Sequence, residues 1–367
     1  MSEIKLNNLH KSFGDFVAVR NTNLTIGNGR FVVLLGPSGC GKTTTLRMIA
    51  GLELPTSGQI LLDHRDVTWQ RARERDIAFV FQLFALYPHM TVRENIAFPL
   101  RNERLPRKQI IARVASTARL LRIEELLDRR VGGLSGGDRQ RVALGRAIVR
   151  QPQAFLMDEP LGTLDADFRE LMCLELRKLH NQLGATTVYV THDQSEAMAM
   201  ADDIVVMNGG EVLQAAAPET IYHLPETVFV GSFIGSPPMN FLPVDAPVPP
   251  GATEVRLAGA AVPVSRCLQG CDKALLGVRP EHVVLDDDGR LRGRVMADEY
   301  LGSHQILVVE TAAGVVRVRV DKNHVVPLDA TIGLTFRVER TLLYDGHSQR
   351  LLPSESALVV RKEVAHG

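Results

Sequence analysis

Gly36-Pro37-Ser38-Gly39-Cys40-Gly41-Lys42-Thr43-Thr44 stands between the apolar run Phe31-Val32-Val33-Leu34-Leu35 and the helix-like Leu46-Arg47-Met48-Ile49-Ala50. The order reads as strand, glycine-rich loop, helix. Glycines at 36, 39 and 41 let backbone N–H groups turn inward around a polyphosphate, Lys42 reaches the β- and γ-phosphates, and the Thr43 hydroxyl ligates Mg²⁺. The helix that follows presents its positive N-terminal end to the same anion. A glycine turn between a strand and a helix can be purely structural, but the full spacing closing on Lys-Thr selects a nucleotide site.

Upstream, residues 3–9 and 16–26 alternate apolar and polar side chains and read as antiparallel strands. Phe13, in the turn between them, fits either of two roles: plugging the sheet edge or stacking on an adenine. Downstream, Ile77-Ala78-Phe79-Val80-Phe81 is expected as a short buried strand ending at Gln82, whose neutral amide can ligand Mg²⁺ or water and change partner with the ligand. Phe84 and Tyr87, beside Pro88 and His89, are core plugs or an exposed docking patch, and composition alone favours the core. Between 107 and 129 the apolar Ile110, Ile111, Val114, Ala118, Leu121, Ile123, Leu126 and Leu127 argue for two amphipathic helices inserted among the nucleotide-binding strands.

In Leu134-Ser135-Gly136-Gly137-Asp138, Ser135 is a good helix N-cap and the paired glycines leave amides open to an anion, although an ordinary capped helix satisfies the same pattern. The apolar strand Ala154–Met157 ends in Asp158-Glu159-Pro160. A strand-end carboxylate suits a water-mediated hold on Mg²⁺, and a second beside it can polarise an attacking water. After the loop Leu161–Asp165, a helix is expected over 166–183 with Leu171, Leu174, Leu176 and Leu179 facing inward. Thr186–Val190 reads as another strand, tipped by Thr191-His192-Asp193. A lone His is usually structural, but one at the same end of the sheet as the phosphate loop and Glu159 can bond a γ-phosphate.

The chain's 367 residues suffice for two cores. Lys plus Arg (42) equals Asp plus Glu (42), so no field of one sign marks a nucleic-acid or anionic-membrane binder, and a membrane link is expected to pass through a protein partner. The first residues lack a secretory pattern and no apolar run approaches the ~18 residues of a spanning helix, so a cytosolic location is expected. Cys40, Cys173, Cys267 and Cys271 are too sparse for a disulfide framework and are expected as thiols. From residue 235 prolines at 237, 238, 243, 247, 249 and 250 change the texture, and short alternating runs such as Gln305–Val309 and Val315–Val320 follow. They read as a small all-β barrel of the oligonucleotide/oligosaccharide-binding (OB) type.

Taken in order, these motifs resemble the ATPase subunit of an ATP-binding cassette (ABC) transporter over residues 3 to about 235: the aromatic Phe13, Walker A at 36–44, Gln82, the signature at 134–138, Walker B with Asp158 and Glu159, the D-loop Asp165, and the switch His192. The resemblance implies an α/β P-loop domain over 1–235, with a RecA-like core, an antiparallel β subdomain and a helical subdomain at about 83–150. A C-terminal all-β OB-like (TOBE) regulatory domain is expected over 236–367. It also implies ATP and Mg²⁺ as ligands, with Thr43, Gln82 and Asp158 at the metal and Glu159, His192, Lys42 and Gln82 catalytic. Two copies would pair head to tail, so that each ATP lies between one Walker A loop and the other copy's Ser135, Gly136, Gly137 and Asp138, with Asp165 alongside.

Two permease subunits would dock near Phe84, Tyr87, Pro88 and His89 on the cytoplasmic face of the inner membrane, fed by an extracytoplasmic solute-binding protein. The tail segments Gly235–Leu242, Gly277–His282 and Glu299–Gly302 are similar to those of maltose and glycerol-phosphate importer ATPases, which implies a sugar or sugar derivative as cargo. Related ATPases serve polyamine, sulfate or ferric-ion importers, and a soluble cassette switch is the rival outside transport. Three departures stand out: Asp138 where the signature usually has Gln, Gly162-Thr163 where Ser-Asn is common, and Ser195 at a variable position.

Overall fold

The computed structural model describes residues 2–81, 85–150, 152–162 and 164–358. Packing divides the chain into two compact units, Met1–Pro218 and Glu219–Gly367.

In the first unit, β1 (Ile4–Phe13) and β2 (Phe16–Ile26) form the expected antiparallel hairpin, joined by β4 (Ser57–Leu62) and β5 (Arg65–Asp66) in a four-stranded sheet. A second sheet carries the site. Its order is β10-β9-β3-β8-β7-β6, built from β3 (Phe31–Leu35), β6 (Ile77–Val80), β7 (Ala154–Asp158), β8 (Thr186–Thr191), β9 (Asp203–Asn208) and the antiparallel edge β10 (Glu211–Ala216). Every residue of β3, β7 and β8 is buried, as parallel strands covered on both faces require, and this explains their unbroken apolar runs. The parallel pairs β3/β8 and β7/β8 bring the carboxyl ends of these three strands to one edge.

Helix α1 (Lys42–Ala50) follows the phosphate loop and stops at Gly51 (φ 71°). Arg75, fully buried, closes that end by donating to Met48 O (2.7 Å) and Ile49 O (2.8 Å). Burial lowers its pKa to about 10, which leaves it cationic at neutral pH against the negative end of the helix. The core runs through Ile4, Leu34, Leu46, Ile49, Leu156, Val188 and Val205.

The helical insert differs from expectation. One helix is there, α3 (Arg107–Leu120), but the second apolar group forms only a 3-10 turn, Glu124–Leu126. The partner helix lies earlier, α2 (Val92–Asn102), started by a capping box in which the Thr91 hydroxyl accepts from Glu94 N while the Glu94 carboxylate accepts from Thr91 N. Helix α4 (Gly136–Ile148) starts at Ser135.

Helix α5 (Ala166–Leu183) buries Met172, Cys173, Leu176, Leu179 and His180, whereas Leu171 and Leu174 are 50% and 55% exposed, so two of the four expected inward leucines face out. The buried set follows the 3.6-residue spacing from Met172 and leaves positions 171 and 174 off that stripe. Helix α6 (Gln194–Met200) links β8 to β9.

The second unit is mainly β: a three-stranded sheet (Asn240–Pro243, Ala274–Val278, Leu342–Asp345), a hairpin (Glu254–Leu257 with Ala260–Pro263) and a five-stranded antiparallel sheet that includes Leu291–Tyr300, His304–Thr311 and Gly314–Asp321. One core joins them, around Val255, Leu276, Val295, Val309, Val316 and Leu343. Residues 219–234 pack with this unit, ahead of the texture change at 235. Arg279, 2% exposed, donates to Tyr222 O (2.7 Å) and to Ile234 O, and Tyr344 donates to Pro225 O (2.9 Å). All four cysteines are free thiols. Among the described residues no helix is long and apolar enough to cross a membrane.

Candidate nucleotide site

The phosphate loop is shaped by what surrounds it. A Cβ on Gly36 would sit 2.2 Å from Met207 O, and Gly41, at φ 101°, would drive one to 2.5 Å from Ala18 O. Both positions therefore demand glycine, and the loop lies tight on β9 and β2. Ser38 and Gly39 (φ 79°) form the exposed tip, while Cys40 is buried and its thiol is held protonated by desolvation. Lys42 is 5% exposed, and its ammonium donates to Gly36 O (2.7 Å) and Pro37 O (2.9 Å). A desolvated cation at the start of a helix, within a loop of turned amides, is a polyphosphate cradle.

Beside it the Thr43 hydroxyl donates to Asp158 Oδ1 at 2.9 Å, joining the first turn of α1 to the end of β7. Asp158 is 6% exposed; burial raises its pKa, opposed by the Thr43 hydrogen bond and by Arg47. Two oxygen donors side by side next to a phosphate cradle fit Mg²⁺, which usually takes one or two protein oxygens and completes its shell with phosphate and water. Among the described residues no group of three or more His, Cys, Asp or Glu converges as a self-sufficient metal cage.

Glu159, the next residue, sits at φ 44°, a left-handed conformation that few non-glycine residues adopt. Its N–H bonds Val190 O on β8 (3.0 Å), and its carboxylate lies 3.4 Å from His192 Nδ1. Backbone strain of this kind costs of the order of 1–3 kcal/mol and gathers where a side chain must be aimed. Glu159 is part-buried and His192 is 59% exposed, so the pair opens toward solvent at the same strand edge as Lys42. A carboxylate and an imidazole in contact, beside a phosphate cradle, can order and deprotonate a water.

Phe13 is 48% exposed at the hairpin end, so it is no plug; Lys11 Nζ stands 4.7 Å from its ring centroid and is paired with Glu53. Pro37 and Thr44 complete the loop, and Asp165 is exposed before α5.

At the signature, Ser135 caps α4 by accepting from Asp138 N (3.1 Å), with Gly136 and Gly137 in the first turn. Its hydroxyl also donates to Asp138 Oδ2 at 2.7 Å, while Arg141 holds Asp138 Oδ1 at 2.9 Å. The departing carboxylate thus folds back on its own helix. Arg141 was not singled out from sequence, and its i, i+3 spacing from Asp138 was the available signal.

Gln82, Phe84 and Thr163 lie outside the described residues. Tyr87 is half-buried, its ring 4.5 Å from Phe98 and 5.4 Å from the Arg146 guanidinium, on the wall of an open groove of about 530 Å³ also lined by Phe79 and Arg150. Pro88 and His89 are exposed.

The ABC transporter family model matches residues 19–162, and the TOBE domain model matches 276–343. The sn-glycerol-3-phosphate import ATP-binding protein UgpC of Ruegeria pomeroyi is 49% identical, over 84% of this chain and 86% of that protein. The chain belongs to the ABC-transporter ATP-binding proteins. The trehalose import ATP-binding protein SugC of Mycobacterium tuberculosis is 44% identical, covering 99% of this chain and 93% of its own length. The lactose transport protein LacK of Rhizobium radiobacter is 42% identical, with 96% and 100% covered. Among solved structures, the dimeric bacterial ABC transporter cassette MJ0796 superposes with a TM-score of 0.53 at 34% identity, over 59% of this chain and 98% of that one. The first unit is thus an ABC ATPase fold, the β-rich unit carries the TOBE domain, and this ABC subunit hydrolyses ATP to drive import.

Proposed function

We propose that this ABC ATPase energises import of a sugar or sugar derivative, working as a head-to-tail pair of copies bound to two permease subunits on the cytoplasmic face of the inner membrane. The observation that carries the catalytic part is the gathering of Lys42, the Thr43–Asp158 pair and the Glu159–His192 contact at the carboxyl ends of β3, β7 and β8. The cargo class is supported by the relatives, named for glycerol phosphate, trehalose and lactose.

In this reading the loop amides of 36–44 and Lys42 hold the β- and γ-phosphates, and Phe13, backed by Lys11, stacks on the adenine. Thr43 and Asp158 hold Mg²⁺, which supplies positive charge against the phosphates when bound. Glu159 orients the attacking water and takes its proton, and His192 bonds the γ-phosphate. Ser135, Gly136 and Gly137 of the second copy close over the same phosphate, so binding joins the copies and cleavage separates them. The groove at Tyr87, together with the exposed Pro88 and His89 that follow it in the chain, receives the permease.

Two experiments test this. The chain should co-purify with the co-expressed permease pair, and its deletion should abolish uptake of one sugar-type solute, restored by the wild type and not by Glu159→Gln. Lost uptake of a polyamine, sulfate or ferric ion instead would reassign the cargo. A chain that binds no permease would point to a soluble switch.

Asp138 gives a separate prediction. Its carboxylate accepts a hydrogen bond from the Ser135 hydroxyl and pairs with Arg141, and in the head-to-tail reading it would add negative charge near the second copy's phosphate. The charge suits its own helix N-terminus by about 0.3–1 kcal/mol but repels a phosphate that approaches it. Asp138→Gln should raise steady-state ATPase activity modestly. An unchanged or lower rate would reject the interfering role.

A further inference from the structure

The loop that follows Glu159 and the loop that carries His192 are fastened to each other by one side chain. Arg169 lies on the first turns of α5, and its Nη2 donates to Leu164 O at 2.8 Å, within the loop that leads from Glu159 to Asp165. Its Nη1 donates to Asp193 Oδ2 at 3.2 Å, on the residue next to His192. Its Nε stands 3.6 Å from Glu196 Oε1.

Both carboxylates are themselves anchored. Asp193 caps α6 by accepting from Ser195 N (2.7 Å) and Glu196 N (3.2 Å), and its own N–H bonds Thr191 Oγ1 (3.0 Å). Glu196 is 4% exposed and accepts from Tyr189 OH at 2.8 Å, inside the sheet at β8. Burial pushes the Glu196 carboxyl above its usual range, opposed by the Thr191 and Tyr189 hydrogen bonds and by Arg169. An exposed ion pair would contribute little to such an arrangement. This guanidinium is only 30% exposed and bridges two segments, hydrogen-bonding Leu164 O on one and Asp193 on the other beside the Glu196 carboxylate, a task its planar fork suits and an ammonium does not.

We propose that Arg169 is a positioning residue for ATP hydrolysis: it holds the 160–165 loop and the His192 loop in register, so that the imidazole stays against the Glu159 carboxylate. The proposal rests on the reading of Glu159 and His192 as the hydrolytic pair. It acts on them through Leu164 and Asp193. Small displacements of a water-ordering pair are costly in rate, since a misplacement near 1 Å loses about a hundredfold.

The test uses the full-length protein and compares wild type, Arg169→Gln, Arg169→Lys, Asp193→Asn and Glu159→Gln for steady-state kcat, KM for ATP, equilibrium ATP binding and thermal unfolding. Arg169→Gln should lower kcat by roughly 10- to 100-fold, with KM and ATP affinity within about twofold of wild type. Arg169→Lys should recover only part of kcat, and Arg169→Gln combined with Asp193→Asn should lose no more than the worse single variant. A lower unfolding temperature with unchanged kcat, or a raised KM with unchanged kcat, would overturn the positioning role. A depressed Glu159→Gln beside a normal Arg169→Gln sinks this proposal alone. A fully active Glu159→Gln sinks the hydrolytic reading and this proposal with it.

Discussion

Glu159→Gln is expected to lower ATP turnover by roughly 10²–10⁴-fold, the range set by loss of a positioned general base. It should leave ATP bound between two copies. Gln is nearly isosteric with Glu, so the left-handed backbone at φ 44° and the bond from its N–H to Val190 O have no steric reason to change. What disappears is the ability to take a proton from water while facing His192 at 3.4 Å. ATP that cannot be cut continues to hold the second copy, so the variant should elute as a dimer with ATP and as a monomer without it. Turnover near the wild-type rate would reassign the base.

Lys42→Ala should remove ATP binding and hydrolysis together. The ammonium is almost fully buried and fastened to Gly36 O and Pro37 O, so its deletion takes away the loop's internal donor and the cation that meets the phosphates. A charge-assisted hydrogen bond contributes about 1.5–3 kcal/mol, so ATP affinity should fall roughly 10- to 150-fold from that loss alone. Equilibrium binding of a fluorescent ATP analogue reads this directly. The pattern separates the two variants: Glu159→Gln keeps the nucleotide and loses the reaction, whereas Lys42→Ala loses the nucleotide first. Unchanged affinity in Lys42→Ala would move the phosphate site elsewhere.

The phosphate loop was legible because its chemistry is contiguous. Backbone amides, Lys42 and Thr43 are sequence neighbours, so spacing alone carries the geometry. The placement of Asp158 and His192 at the strand ends was legible for a related reason. Fully buried parallel strands read as unbroken apolar runs, and the polar residue that ends each one falls at the sheet edge.

The insert was harder. The apolar group at 121–127 looks helical but makes only a 3-10 turn, while the real helix Val92–Asn102 was signalled by Thr91 and Glu94 three positions apart and obscured by Pro99 inside it. Leu171 and Leu174 show the limit of hydrophobic counting, since an apolar side chain on a helix turns inward only if a neighbouring element covers that stripe.

From residues alone came the nucleotide-binding class, the order of the sheet-edge motifs and the all-β tail, because each depends on groups within a few positions of one another or on a period along one element. Tertiary structure alone decided the partners of the long charged side chains that bridge distant segments: Arg169 across two loops, and Arg279 tying 222 and 234 into the β-rich unit. A guanidinium can reach acceptors on segments far apart in the chain, and which of them it meets is set by how those segments pack, which no local pattern encodes.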